Sequence, residues 1–489
     1  MAAIDAGELK RPAATVGYKR VVLAFVVAAY TFNFIDRTIV SILGQAIKVD
    51  LKITDAQLGM LGGIAFAILY TLLGVPIARL AERFNRVSII SLAIVAWSAF
   101  TAACGLAGSF AVLLAMRVGV GIGEAGCSPP IHSLISDYFE PKRRASALAV
   151  YSFGIPLGAM IGSIAGGLLA KGFGWRMAFI VVGLPGLILA ALIKLVVREP
   201  QRGASDPGGA GRAVAAPTGG ELKEIGAVIA TLFGNWPAAN MMIAVTLASF
   251  AGYGVGQFSA PYFIRTFGLD YATVGLIFGL TGGLSAGLGT LAGGFISDLA
   301  ARRHARWYAL IPAIGLAIAT PLYVLVYRVP DWKLAAAILL IPGAFAYTFL
   351  GPTFGVVQNL VEARRRATAT AVMLLFLNII ALGGGPLFTG WIIDRFAGFY
   401  FTHPGAHSFL GALGGALGDG GGAARFASAC PGGIAPAGSA LRLAYQCQDA
   451  GALATRHGIL VTFVFGAWAA LHYLLASFGL AGQLAKTRR

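Results

Sequence analysis

Twelve times between Val21 and Gly479 the chain runs apolar for long enough to cross a bilayer, with only short charged interruptions. A membrane-spanning helix needs about 20 predominantly apolar residues. The runs place spans at 20–46, 56–79, 87–108, 110–137, 144–170, 176–197, 238–265, 271–297, 306–327, 333–361, 367–396 and 455–480. Composition agrees: 489 residues, 57% apolar and 12% charged, with a mean hydropathy of +0.78, do not make a string of soluble domains. The expected fold class is an all-α membrane protein of twelve transmembrane helices.

A formal net charge of +17 raises nucleic acid as a partner, and the placement of the basic residues argues against it. With the N-terminus assigned to the cytoplasm, 23 of 37 Lys and Arg fall on cytoplasmic ends and loops and 11 on the opposite side. The other three, Arg37, Arg117 and Lys194, lie within spans. An excess in short loops on one side is the positive-inside pattern, whereas a nucleic-acid module gathers its charge on one face or helix. The expectation is therefore a monomer in a bacterial-type inner membrane, with both termini cytoplasmic and no nucleic-acid partner. The first twenty residues are polar and basic, and no small-residue cleavage site precedes the first apolar run, so no cleaved signal peptide is indicated.

One long cytoplasmic interruption, "REPQRGASDPGGAGRAVAAPTGGELKE" at 198–224, is rich in Gly, Ala and Pro and reads as a flexible linker. It divides the chain into a six-helix bundle at 1–197, a linker region at 198–237 with a short surface helix near Glu221 to Phe233, and a six-helix bundle at 238–489. The second bundle carries a long external loop, expected at 397–454. Cys104 and Cys127 fall within spans, where small buried side chains are the plain reading. Cys430 and Cys447 share the external loop and are expected to form a disulfide in an oxidising compartment.

The two halves repeat. "KRRASALAV" at 142–150 returns as "RRRATATAV" at 364–372, an offset of 222 that also sets Pro130 against Pro352 and Asp137 against Asn359. "ARLAERFNR" at 78–86 is echoed by "GFISDLAARR" at 294–303, with Glu82 against Asp298. Parallel six-span repeats point to a transporter that rocks one half against the other around a midplane site.

In these loops the chain resembles the major facilitator superfamily. The family pattern of Gly, acidic, Arg and basic residues is met by Ala78, Glu82, Arg83, Asn85 and Arg86 in the first loop and by Gly294, Asp298, Arg302 and Arg303 in the second. "RVGVGIG" at 117–123 is similar to the arginine–glycine motif of the fourth helix. Within the superfamily it looks like the Spinster branch of lipid transporters, through "FIDR", "ERFNR", "GEA", "YSFGIPLGAMIG", "WRMAF" and "GLPG". The resemblance implies alternating access, and a proton-coupling set of Asp36, Arg37 and Glu124. It also implies a cytoplasmic latch built from Glu82, Arg83, Arg86, Asp137, Asp298 and Arg302.

Read from the residues alone, Arg117 and Glu124 lie two helical turns apart and project from nearly the same face. An ionised group at mid-membrane costs about 2.5–3.5 kcal/mol on insertion scales, so each needs an offset. Arg117 pairing with Glu124 or Asp36 would be structural; Glu124 taking up and releasing a proton would be functional, and the two are compatible. Asp36 and Arg37, adjacent on helix 1, point in different directions. The partner of Glu124 stays open between Arg117, Asp36 and Arg37. The position repeating Glu124 is Ala346, so coupling chemistry is expected in the first half.

Gly121 to Gly126 spell a G-x-G-x-x-G, but inside a membrane span, where close helix packing is the better reading. His132 and Asp137 sit on different sides of one helix and make no catalytic pair. Asp137 is expected to pair with Arg83 or Arg86. Tyr151, Tyr253, Gln257, Tyr347, Thr353 and Asn378 are the candidates for a substrate surface. With no G-x-x-x-x-G-K-[ST] loop, a proton gradient is the expected energy source and no cofactor or metal is expected. The reading is a proton-coupled secondary transporter of lipid-like or amphipathic molecules, of lysophospholipid or sphingolipid class, and not an enzyme. Its rivals are a permease for small organic anions, a multidrug/H+ antiporter, and a membrane-embedded lipid enzyme or receptor.

Overall fold

The computed structural model describes residues 15–203, 205, 221–362, 365–406, 408–418 and 421–487. The middle of the expected linker and Arg364 of the repeat lie outside the described residues. Among the described residues, eleven segments are long and apolar enough to cross a membrane: α1 Val16–Leu51, α2 Asp55–Arg83, α3 Arg86–Cys104, α4 Phe110–Tyr138, then Pro141–Val196, α7 Trp236–Phe267, α8 Tyr271–Ala301, α9 Trp307–Val326, α10 Trp332–Asn359, α11 Thr368–Thr402 and α12 Leu441–Ser477. Pro141–Val196, 56 residues long, holds two of the twelve spans, α5 (141–173) and α6 (175–196), because the chain turns at Gly174 with φ +80° and ψ 168°. A helix satisfies its own backbone in lipid, and the ends are closed by polar caps. Thr54 and Gln57 form a capping box at α2, while Asn85, Ser109, Asp270 and Asp331 accept from the first turns of α3, α4, α8 and α10.

Alternation of the spans gives the protein two faces. We call the one where α1 begins and α12 ends the terminal face. The other is the capped face, because the α11–α12 connection folds over it. That connection is shorter than expected: α11 runs to Thr402, and α12 begins at Leu441 rather than near 455. Gln446, Gln448 and Asp449 end the apolar run without ending the helix. The connection holds two short helices, Phe409–Gly418 and Gly422–Ala429, and Cys430 and Cys447 are disulfide-bonded. Glu221–Phe233 is a helix whose apolar face is spent on the second half, with Val228 and Leu232 fully buried.

Among the described residues the halves meet mainly along α2–α11 and α5–α8, toward the capped side, through glycines that bring backbones together. A Cβ on Gly59 would stand 2.2 Å from Pro386 O, one on Gly390 2.1 Å from Asp55 O, and one on Gly275 2.4 Å from Ser163 O. Small residues of this kind are what permit close helix crossing in membranes. All four contact helices lose regularity within their first half: α2 at Gly63, α5 at Phe153, and α8 and α11 in π-turns at Thr281–Ser285 and Leu377–Gly384. Irregular backbone at membrane depth is tolerated where it is buried in protein or lines a cavity. Toward the terminal face, no hydrogen bond or ion pair among the described residues joins α1–α6 to α7–α12.

Candidate functional site

Glu124 ends the first part of α4. Pro129 and Pro130 cannot donate to the turn before them, so α4 breaks into Phe110–Ala125 and Ser128–Tyr138 with Glu124 at the break. Its side chain is fully buried, and its partner is Arg37: Nε and Nη2 both reach Oε2, at 2.9 and 2.8 Å. The other oxygen, Oε1, has no hydrogen-bond partner. The sequence could not choose among three partners; the geometry selects Arg37. Arg37 is 22% exposed at its side chain and lies in an aromatic cage, with the guanidinium carbon 4.5 Å from the ring centre of Phe66, 4.9 Å from Tyr70 and 5.2 Å from Phe34. Such contacts stabilise a desolvated cation by about 2 kcal/mol or more.

Asp36, the next residue back, points into the bundle. Thr101 of α3 donates to its Oδ2 at 2.5 Å, and Oδ1 is unpartnered. Arg117 is 1% exposed, and neither Nε nor Nη1 has a hydrogen-bond partner. It is not the ion-pair partner of Glu124. The glycines around it do what packing requires: Gly119 lies on the Phe100 ring, Gly121 on Phe66 O, Gly123 on the Trp97 backbone and Gly126 on Ala93. The nucleotide-like spacing is a helix-contact surface.

The second-half candidates divide. Tyr253 and Tyr347 are 43% and 39% exposed, and Tyr253 lies near Arg37 and Tyr70 across the divide. Gln257, one turn beyond Tyr253, rests its side-chain oxygen against Gly62 of α2, leaving Nε2 unpartnered. Asn378 is half-buried in the π-turn of α11. Thr353 is fully buried, bonded to Phe349 O and the Tyr473 hydroxyl, away from any open surface. Tyr151 is buried in the first half, stacked on Tyr30 at 4.3 Å and edge-on to His132.

In the terminal-face loops the charges pair within each half. Arg86, fully buried, donates to Asp137, Ser133 and Glu199. Asp137 also accepts from Gly203 N at 2.9 Å, and Asp298 accepts from Tyr308 at 3.0 Å. Glu82, Arg83 and Arg302 are exposed. Glu199 as a partner of Arg86 was not anticipated, nor was a second charged cluster at the capped face. There Arg265 donates to both oxygens of Asp55, at 2.6 and 3.1 Å, and to Gln45 and Thr455; Lys48 reaches Asp55 at 2.5 Å. Asp394 accepts from Asp55 N and Ala56 N, capping α2 from the opposite half.

Residues 26–385 match the sequence model of the Major Facilitator Superfamily. The chain is 33% identical over 371 residues to an MFS-type efflux pump of Mycolicibacterium smegmatis, covering 74% of this chain and 82% of that protein. It is 26% identical over 400 residues to the sphingosine-1-phosphate transporter SPNS2 of Danio rerio, covering 76% and 75%. Crystal structures of a bacterial homolog of the human lysosomal transporter Spinster, inward-facing and either unoccupied or occupied, superpose with TM-scores of 0.80 and 0.79 at 33% identity. They cover 97% and 95% of this chain and 99% and 98% of theirs. The chain belongs to the Major Facilitator Superfamily and is a multi-pass membrane transporter rather than an enzyme. Within the superfamily it is a Spinster-like protein.

Proposed function

We propose that this transporter moves lipid-like or amphipathic organic anions by alternating access, coupled to protons, in a bacterial inner membrane with the terminal face toward the cytoplasm. The observation that carries the reading is the shared use of Arg37. Its guanidinium holds a fully buried carboxylate on one side and stays partly exposed on the other, among Phe34, Phe66 and Tyr70. An anionic head arriving at Arg37 competes with Glu124 for the same donors, and a buried carboxylate that loses its cation is tolerated only when it takes up a proton. Binding and protonation are then linked through one residue, and the aromatic walls favour an apolar tail. Asp36 and Arg117, buried behind the pair with unsatisfied polar atoms, supply a second protonatable group and a fixed positive charge.

The test is transport in proteoliposomes. Glu124→Gln is expected to lower pH-gradient-driven uptake of a lysophospholipid at least tenfold while substrate exchange without a gradient continues. Full gradient-driven uptake by Glu124→Gln would remove the proton role. Thermal stabilisation by lysophospholipid and by small carboxylates, each titrated alone, decides the substrate class, because a ligand that binds the native state raises its stability. Stabilisation by the small carboxylates alone would replace the lipid reading with a permease for small anions.

A further inference from the structure

We propose that the α11–α12 connection is a strap of the second half that clasps α1 of the first and controls how readily the capped face opens. The proposal is independent of what is transported and of the proton reading. The strap has three seats. Helix Gly422–Ala429 lies backbone to backbone on α11, where a Cβ on Gly398 would be 2.2 Å from both Gly422 C and Ala423 N. Cys430, the next residue, is bonded to Cys447 in α12. The turn Pro431–Gly433 then leaves the second half and presses on the end of α1.

The third seat is made by two glycines in the left-handed region, Gly432 at φ +71° and Gly433 at φ +86°, a conformation that L side chains resist. A Cβ on Gly432 would stand 2.8 Å from Lys48 O and 3.0 Å from Val49 Cα, and one on Gly433 3.4 Å from Lys48 Nζ. Only a bare backbone fits. The turn thus covers Lys48, whose Nζ bonds Asp55, which in turn holds Arg265 across the divide. Opening the capped face carries α1 away from α11 and α12, so the turn must either leave Lys48 or pull against its anchors. Gly398 and the disulfide fix those anchors, and a cross-linked segment has few alternative conformations to escape into.

The strap is tested by distance measurements between nitroxide labels at Gly108→Cys and Pro330→Cys, exposed positions at the capped face on opposite halves. In the otherwise unaltered protein a short distance is expected to dominate. Cys430→Ser with Cys447→Ser is expected to raise the long-distance population at least threefold. Gly432→Ala, with the disulfide intact, is expected to do the same, so the test stands even where the double serine variant folds poorly. Gly438→Ala is the control: it also has a positive φ, +81°, but nothing lies within 4 Å of its added Cβ, and the distribution is expected to stay put. If Gly432→Ala leaves the distribution unchanged, or Gly438→Ala shifts it equally, the strap is not a clasp on α1 and the proposal fails.

Discussion

At the capped face, Arg265 of α7 bonds Asp55 and Gln45 of the first half, and Asp394 of α11 receives the first N–H groups of α2. At the terminal face, Arg86 bonds Asp137 and Glu199 of the first half and its linker, and Asp298 bonds Tyr308 of the second half. Both faces carry charged loops, yet among the described residues the side-chain bonds seen to join the halves are those of the capped face. The difference teaches where the energy of this state resides. Buried ion pairs are costly to break by removing one partner, about 3–5 kcal/mol, so the capped cluster weights the balance between states, while the terminal pairs stiffen each half without choosing between them.

The largest shift is expected from the helix contact beneath the capped cluster. Gly275→Leu would push a side chain into Ser163 O and Gly167 Cα, which a Cβ alone meets at 2.4 and 3.0 Å. Overpacking of this kind costs about 1–3 kcal/mol, here charged only to the state in which α5 and α8 touch. A coupling of that size changes the ratio of two states by about 5- to 150-fold. With backbone on the receiving side, the upper end is expected. The label pair at Gly108 and Pro330 should report mainly the long distance, and an unchanged distribution would show that α5–α8 packing is not what closes this face.

A smaller shift is expected from charge. Arg265→Gln keeps a donor near Asp55 but removes the cation, and Lys48 remains within 2.5 Å of that carboxylate. Arg265 gives Asp55 two charge-assisted bonds, but Gln can still donate and Lys48 keeps the carboxylate paired, so the cost falls from the roughly 3–5 kcal/mol of an unpaired buried charge to about 1 kcal/mol. That is about fivefold in the same distance populations, and it is expected only for the closed state, since water solvates both groups once the face opens. A shift as large as that of Gly275→Leu would mean that electrostatics, not packing, dominates the closed face.

Much of this architecture is legible in the sequence, and what is not has a physical reason. Twelve apolar runs are a strong signal because lipid tolerates little else, and the repeat between 142–150 and 364–372 fixes the division into halves. Of the loop charges, Glu82, Arg83 and Arg302 are exposed at the terminal face, and their role depends on a state that spacing along the chain does not describe. The partner of Glu124 was not legible: spacing along α4 sets the angle between Arg117 and Glu124, but nothing in one helix reveals how α1 is rotated against it. The capped cluster escaped because Lys48, Asp55, Arg265 and Asp394 stand at span ends, where charge is ordinary, and because pairing Asp55 with Arg265 needs contact between residues 210 apart in sequence. Thr353 looked like a cavity position from its helix; its bond to Tyr473 depends on how α12 lies against α10.

The smallest shift in the balance of states is expected from Asp137→Asn, and it separates stability from switching. Asp137 is a partner of a fully buried arginine, and it also accepts from Gly203 N. Losing the carboxylate leaves Arg86 with Glu199, so a cost of about 1–3 kcal/mol is expected in the stability of the first half. The pair lies within one half and its linker and is carried along as a unit when the halves rock, so the same cost applies whichever face is open. The expected outcome is a lower melting temperature with the Gly108–Pro330 distance populations unchanged within twofold. A shift beyond that range would mean that Asp137 also bonds the opposite half when the terminal face closes, and the contrast between the two faces would then hold only for the state seen here.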